Sequence, residues 1–116
     1  MNVRDCLFCK IVAGDIPSDK VFETERSYVF RDLNPQAPTH VLVIPKEHVT
    51  HAGKLTAAHA ELLGDLFETA AKVAEQEGVA EGGYRLAFNI GEDSGNSVPH
   101  LHLHLLGGRK LAWPPG

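Results

Sequence analysis

Apolar residues recur along this chain with two periods, and the change of period marks its elements. After Thr56, the residues Leu62, Leu63, Leu66, Phe67, Ala70, Val73 and Ala74 follow spacings of three and four, the single buried face of an amphipathic helix. The spacing predicts one long helix from about Ala57 to Gly78, with Thr56 as N-cap and His59 solvent-exposed and idle. Leu7, Phe8, Ile11 and Val12 show the same spacing over a shorter reach. They predict a short helix from Asp5 to Ala13, with Asp5 at its N-cap and Gly14 as its stop. Elsewhere the apolar runs are short and rich in β-branched and aromatic residues. Val21-Phe22-Glu23 and Tyr28-Val29-Phe30, separated by polar residues 24–27, predict a hairpin. His40 to Ile44 is a near-continuous apolar run stopped by Pro45, as expected of a strand buried on both faces. Tyr84 to Ile90 predicts a further strand, and the two prolines of Asn34-Pro35-Gln36-Ala37-Pro38 force a loop.

The strictest alternation is in the last run, where His100, His102 and His104 alternate with Leu101, Leu103 and Leu105. A strand here places three imidazoles on one face, roughly 6.5–7 Å apart, and three leucines on the other. About five strands and two helices, joined by turns rather than helical crossovers, predict an α+β fold with an antiparallel five-stranded sheet, one long helix and one short one. At 116 residues the chain is expected to form one domain, residues 1–116.

Composition narrows the function. The apolar content of 43% and charged content of 22% are ordinary for a globular protein. A net charge of −4 with scattered basic residues argues against a nucleic-acid partner, while leaving room for a pocket that takes one phosphate. No apolar stretch is long enough for a membrane span, and the N-terminus lacks a signal-peptide core, so a cytoplasmic location and no membrane partner are expected. Reduced cysteines follow from that location. Cys6 and Cys9 form a C-x-x-C pair with no strand before it, which favours half a zinc site over a redox pair or two unconnected packing thiols.

Imidazole titrates near neutral pH and is both a nucleophile and a metal ligand, so three in one strand point to chemistry rather than to a solvated face. The preceding loop, Gly91 to Ser97, is glycine-rich and polar. Its backbone amides suit an anion site, with the Ser97 hydroxyl and amide beside the first histidine. An imidazole next to a phosphate cradle suggests in-line attack on phosphorus through a phospho-histidine. His102, flanked on both sides, is the best nucleophile candidate. A second class of reading places His100, His102 and His104 together on one catalytic metal ion. A third is a nucleotide-binding regulatory or scaffold protein.

His-Leu-His-Leu-His-Leu-Leu at 100–106 resembles the signature of the histidine-triad nucleotide hydrolases and transferases. The likeness extends over nearly the whole chain: Phe8, Ile16-Pro17, Asp32, residues 35–40 and 43–46, Asn89, Gly95, Ser97-Val98, Gly107-Gly108-Arg109 and Trp113-Pro114-Pro115-Gly116. The double glycine and the Trp-Pro-Pro-Gly tail are similar to the Hint branch, the purine nucleoside phosphoramidases, more than to the dinucleoside polyphosphate hydrolases, which stand as the alternative. The resemblance implies an adenosine 5′-monophosphoramidase-type hydrolase that cleaves the P–N bond through a nucleotidyl-His102 intermediate. It further implies that His104 and Ser97 contact phosphate oxygens, that His40 supports the orientation of the cluster, that His100 and His40 join His102 and His104 in the catalytic set, and that Asp32 accepts from ribose hydroxyls. Phe8, Ile11, Phe30 and Leu33 would sandwich a purine, as in AMP or GMP, with Asn89, Gly95 and Val98 completing the pocket. The C-x-x-C pair resembles that of zinc-bearing bacterial relatives, which implies a closed structural zinc on Cys6, Cys9, His48 and His100, with His51 as the substitute for His48. No organic cofactor is implied. The family also implies a homodimer with joined sheets, in which the tail 109–116 reaches the partner; that would account for Trp113.

Overall fold

The computed structural model describes residues 5–96 and 98–116. Five strands, β1 (Lys20–Glu23), β2 (Ser27–Arg31), β3 (Thr39–Pro45), β4 (Tyr84–Ala87) and β5 (Leu103–Gly107), form one sheet in the order β1-β2-β3-β5-β4. Every neighbouring pair is antiparallel, so the predicted α+β architecture is the observed one. Helix α1 (Leu7–Ala13) is short and α2 (Ala60–Gln76) is long.

The two-residue period of β2 and β3 divides their side chains between two cores. Val29, Val41 and Val43 point to one face, where they meet Leu66, Ala70 and Val73 of α2 and Leu103 and Leu105 of β5. Tyr28, Phe30, Leu42 and Ile44 point to the other, where they meet Cys6, Phe8 and Ile11. This explains why all seven residues of β3 are buried, as the apolar run from His40 predicted. It also decides where chemistry can lie. His104 stands opposite Leu42 in the register, hence on the α1 face, beneath the thinner cover. A two-pronged ion pair, Arg31 Nη1 to Glu77 Oε1 at 2.7 Å and Nη2 to Oε2 at 3.2 Å, fixes the end of β2 to the end of α2.

Local chemistry moves several boundaries from their sequence expectations. Cys6, not Asp5, caps α1, its Sγ accepting the Cys9 N–H at 3.4 Å. Gly14 ends the helix with φ +84°, a left-handed conformation that suits glycine. The long helix opens with a 3₁₀ turn over Ala57–His59 before α2 begins. His59 is not idle there: its Nδ1 accepts the Thr56 N–H at 3.0 Å while Thr56 Oγ1 accepts from Ala58, a reciprocal cap. β4 stops at Ala87 rather than Ile90, and β5 begins only at Leu103. The chain at 98–100 bends, and the Leu101 N–H donates to the Val49 carbonyl at 2.6 Å. That bond ties the histidine run to the segment carrying His48. Among the described residues, no helix is long and apolar enough to cross a membrane.

Candidate active site and metal centre

Bending before β5 separates the three histidines into two environments. His100 is fully buried. Its Nε2–H donates to the Pro45 carbonyl at 2.9 Å, because a carbonyl only accepts. The Nδ1 of the neutral ring is therefore the basic nitrogen, and burial drives the pKa down to about 4, so the ring stays neutral. Three groups converge on that one lone pair: Cys6 Sγ at 3.2 Å, Cys9 Sγ at 3.5 Å and His48 Nδ1 at 3.2 Å. Cys9 Sγ is also 3.4 Å from His48 Nδ1.

One lone pair cannot satisfy three hydrogen-bond donors, whereas one metal ion satisfies four lone pairs. A tetrahedron with bonds of ~2.3 Å to sulfur and ~2.0 Å to nitrogen has edges of about 3.3–3.5 Å between nitrogen and its neighbours. The observed separations match it. Burial, followed by the neighbouring Cys6 thiol, pushes the Cys9 thiol up to about 11, and a coordinated metal would reverse that by holding the thiolate. Cys6, Cys9, His48 and His100 thus fit a zinc-type donor set, with all four donor atoms within 4.8 Å of one another. His51 lies outside it, its Nδ1 accepting the Gly53 N–H.

His102 and His104 belong to a second cluster, their ring centroids 5.0 Å apart. His102 Nδ1–H donates to the His100 carbonyl at 2.7 Å, which leaves Nε2 as the basic nitrogen. The proton positions around His104 are fixed from the far end. The Gln36 N–H donates to His40 Nδ1 at 3.0 Å, so neutral His40 carries its proton on Nε2. That proton is donated to His104 Nδ1 at 3.0 Å, so neutral His104 carries its own on Nε2. Burial lowers the pKa of His40, against the opposing charge of Asp32. Burial, then His102 and His40, drive that of His104 down to about 4. Both rings are neutral near pH 7. Asp32 Oδ2 stands 3.5 Å from His40 Nε2, and Oδ1 accepts the Asn34 N–H at 2.8 Å.

Asp32, His40 and His104 also lie close enough for a metal ion, but their proton pattern opposes one. A metal on His40 Nε2 would force a proton onto Nδ1, against the Gln36 N–H. The arrangement of all three strand histidines around one ion is likewise absent, since His100 Nδ1 faces the cysteines while His104 Nδ1 faces His40.

A cleft of about 240 Å³ opens beside this second cluster, lined by Phe8, Ile11, Phe30, Asp32, Leu33, Asn89, Gly95, Val98, His102 and His104. The structure therefore gathers every described residue of the expected nucleotide pocket; Ser97 lies outside the described residues. Phe8 meets Phe30 edge-on at 5.3 Å and His102 edge-on at 5.3 Å, so the aromatic wall continues into the histidine cluster. Leu7 and Leu42 also line the cleft and were missed. Leu42 shares the parity of His40 along β3, a signal present in the sequence. Leu7 gave none. A larger hollow of about 340 Å³, over Ser27, Pro45, Leu62 and Asp65, has no histidine or cysteine in its wall.

The fold and the site together define a class of small α+β proteins whose chemistry rests on strand-borne histidines. Residues 13–111 match the HIT domain, and the chain belongs to that family. It is 47% identical over 108 residues to the purine nucleoside phosphoramidase of Escherichia coli, covering 93% of this chain and 91% of that one. A 14 kDa zinc-binding protein of Zea mays is 50% identical over 112 residues, 95% of this chain and 87% of its own. The crystal structure of a HIT family hydrolase from Legionella pneumophila superposes with a TM-score of 0.94 at 50% identity, covering 97% of this chain and all of that one.

Proposed function

We propose that the protein is a nucleotide hydrolase that cleaves the P–N bond of purine nucleoside 5′-phosphoramidates. One observation carries the reading. His104 Nε2 is a buried N–H with no partner among the described residues, and it lies beside a His102 ring whose Nε2 is basic. A buried, unmatched donor costs ~1–3 kcal/mol unless a ligand supplies the acceptor. A phosphoryl oxygen supplies it, and the same placement brings phosphorus to the neighbouring nucleophile.

His102 Nε2 attacks phosphorus, forming an N–P bond as the P–N bond to the amine breaks. The amine leaves with a proton taken from the medium. The nucleotidyl-imidazolium keeps its Nδ1–H on the His100 carbonyl, which stabilises the charge. Water then displaces His102, releasing nucleoside monophosphate and a proton. Phe8, Ile11, Phe30 and Leu33 hold the purine, Asp32 takes the ribose hydroxyls, and Asn89, Gly95 and Val98 enclose the phosphate side. Zinc, where bound to Cys6, Cys9, His48 and His100, supplies structure by tethering α1 to the histidine run. With four protein donors taken up, such a site would serve structure rather than substrate.

A second copy of the chain is part of this reading. β4 is an edge strand, and Phe67, Ile90 and Trp113 beside or beyond it are 42%, 47% and 81% exposed. Two β4 edges joined across a two-fold axis would cover them, with residues 109–116 crossing to the partner.

The test is a quench of turnover on adenosine 5′-phosphoramidate. Mass spectrometry should find a nucleotidyl adduct on the peptide carrying His102, and His102→Ala should lose at least about a thousandfold in kcat. A His102→Ala variant that keeps near-native turnover, or an adduct elsewhere, would overturn the assignment. Faster turnover of a diadenosine polyphosphate would favour the other branch of the family.

A further inference from the structure

We infer that Arg109 is a positioning residue that sets the proton pattern of the His40–His104 pair through the Gln36 loop. This rests on the reading of His104 as the donor to a phosphoryl oxygen.

Arg109 lies at the surface, beyond the end of β5, and does not line the cleft. Its guanidinium nevertheless makes two bonds to a single acceptor, the Gln36 carbonyl: Nη2 at 2.8 Å and Nε at 3.3 Å. Gln36 is also the residue whose amide N–H meets His40 Nδ1. It sits between Pro35 and Pro38, whose ring-locked φ angles leave Gln36 and Ala37 as the joints of the loop. Gripping the carbonyl of residue 36 restrains the peptide plane on one side of that joint. On the other side the Gln36 side-chain amide donates to the Asn34 carbonyl at 3.0 Å. Close packing delivers the arginine to this point. Gly108 has φ +91°, and a Cβ there would stand 2.9 Å from the Pro38 Cβ, so the chain leaving β5 lies directly against the loop.

The consequence is a matter of protons. While the Gln36 N–H points at His40 Nδ1, both rings carry their protons on Nε2, and His104 offers a donor to the cleft. If that amide swings away, His40 keeps only the longer contact of its Nε2 with Asp32 Oδ2, at 3.5 Å, to separate its two tautomers in energy. Its Nδ1–H form presents a bare Nε2 to His104, which must then move its own proton to Nδ1. His104 Nε2 becomes an acceptor and repels the phosphoryl oxygen it should hold. A surface arginine thus acts on a buried donor two rings away, and touches neither substrate nor the reacting atoms. Asp32 touches this chain only at 3.5 Å from His40 Nε2, and the purine contacts of Phe8 and Ile11 lie outside it. The His104 bond strengthens as charge builds on the phosphoryl oxygen, so the loss falls chiefly in kcat.

The experiment compares wild type with Arg109→Ala by long-range ¹H–¹⁵N imidazole spectra and by steady-state kinetics on adenosine 5′-phosphoramidate. The expected result is a single His40 tautomer in wild type and a mixture in the variant. With it should come a loss of about tenfold in kcat, ~1.4 kcal/mol, at a KM within about twofold of wild type. An unchanged His40 tautomer, an unchanged kcat, or a loss confined to KM would each overturn the inference. Should Arg109→Ala not fold, Arg109→Lys keeps the charge but cannot place two donors on one oxygen, and the same two readouts apply. Absence of a His102 adduct in wild type would count against the phosphoryl-transfer reading instead, and the imidazole spectra would still decide the role of Arg109.

Discussion

At the scale of single residues, the site is governed by which nitrogen of each ring holds the proton. Backbone groups decide this: the Pro45 and His100 carbonyls and the Gln36 amide set His100, His102 and His40 respectively. His104 is set by His40. The same arrangement makes stability depend on pH. The folded-state pKa of His104 is lowered from 6.5 to about 4 by burial, and that of His40 is lowered for the same reason. Above about pH 6.5 neither folded nor unfolded chain protonates His104, and its neutral-ring stabilisation is complete. Between about 6.5 and 4 the unfolded chain takes up the proton first, so stability falls with falling pH. His104→Asn, which removes the titrating ring, should therefore lie below wild type in urea midpoint near neutrality, by a gap that narrows on acidification through that window. A gap that stays constant with pH would show that His104 titrates as it does in the unfolded chain.

At the scale of elements, α1 is the most dependent piece of the molecule. Seven residues are too few for an isolated helix in water. Its order comes from Phe8 and Ile11, buried against Phe30 and Leu42, and from the cysteine cap held at His48 and His100. The same two side chains face the cleft, so what orders α1 also builds the cleft wall. Cys9→Ser weakens one of the four donors in the cluster. The expected outcome is well under one zinc per chain, faster amide exchange across residues 7–13, and a KM for nucleotide raised about tenfold. Full zinc occupancy with unchanged exchange would separate the cysteines from α1. Much at this scale could be read in advance. The period of three and four placed α2, the period of two placed β2 and β3, and Gly14 marked the helix stop. The alternation through 98–107 misled in one respect, because by itself it predicted a continuous strand with three imidazoles on one face. Periodicity reports which face a side chain takes if the backbone is extended. It does not report a bend set by tertiary bonds such as Leu101 to Val49. The Arg109–Gln36 contact spans 73 positions in the chain and joins two polar residues, and hydropathy carries no trace of it.

At the scale of the whole molecule, no residue of 109–116 lines the cleft. Arg85 Nη2 donates to the Ala112 carbonyl at 2.9 Å, which ties the base of the tail to the edge strand β4. Trp113 beyond it is 81% exposed. An exposed tryptophan on a proline-flanked segment beside an unpaired sheet edge is poorly explained within one chain and well explained by two. If the tail serves the partner's cleft, function should complement between chains. One protein carries His102→Ala with an intact tail; a second keeps His102 but lacks residues 112–116, so that Arg109 is retained. Each alone should form dimers by light scattering, the first without turnover and the second with reduced turnover. After subunit exchange, each mixed dimer holds one site with both His102 and a full tail donated across the interface. Turnover of the mixture should then exceed the sum of the separate proteins by an amount set by the mixed-dimer fraction. A tail that folds back on its own chain yields no such excess, because no protomer in the mixture carries both intact parts.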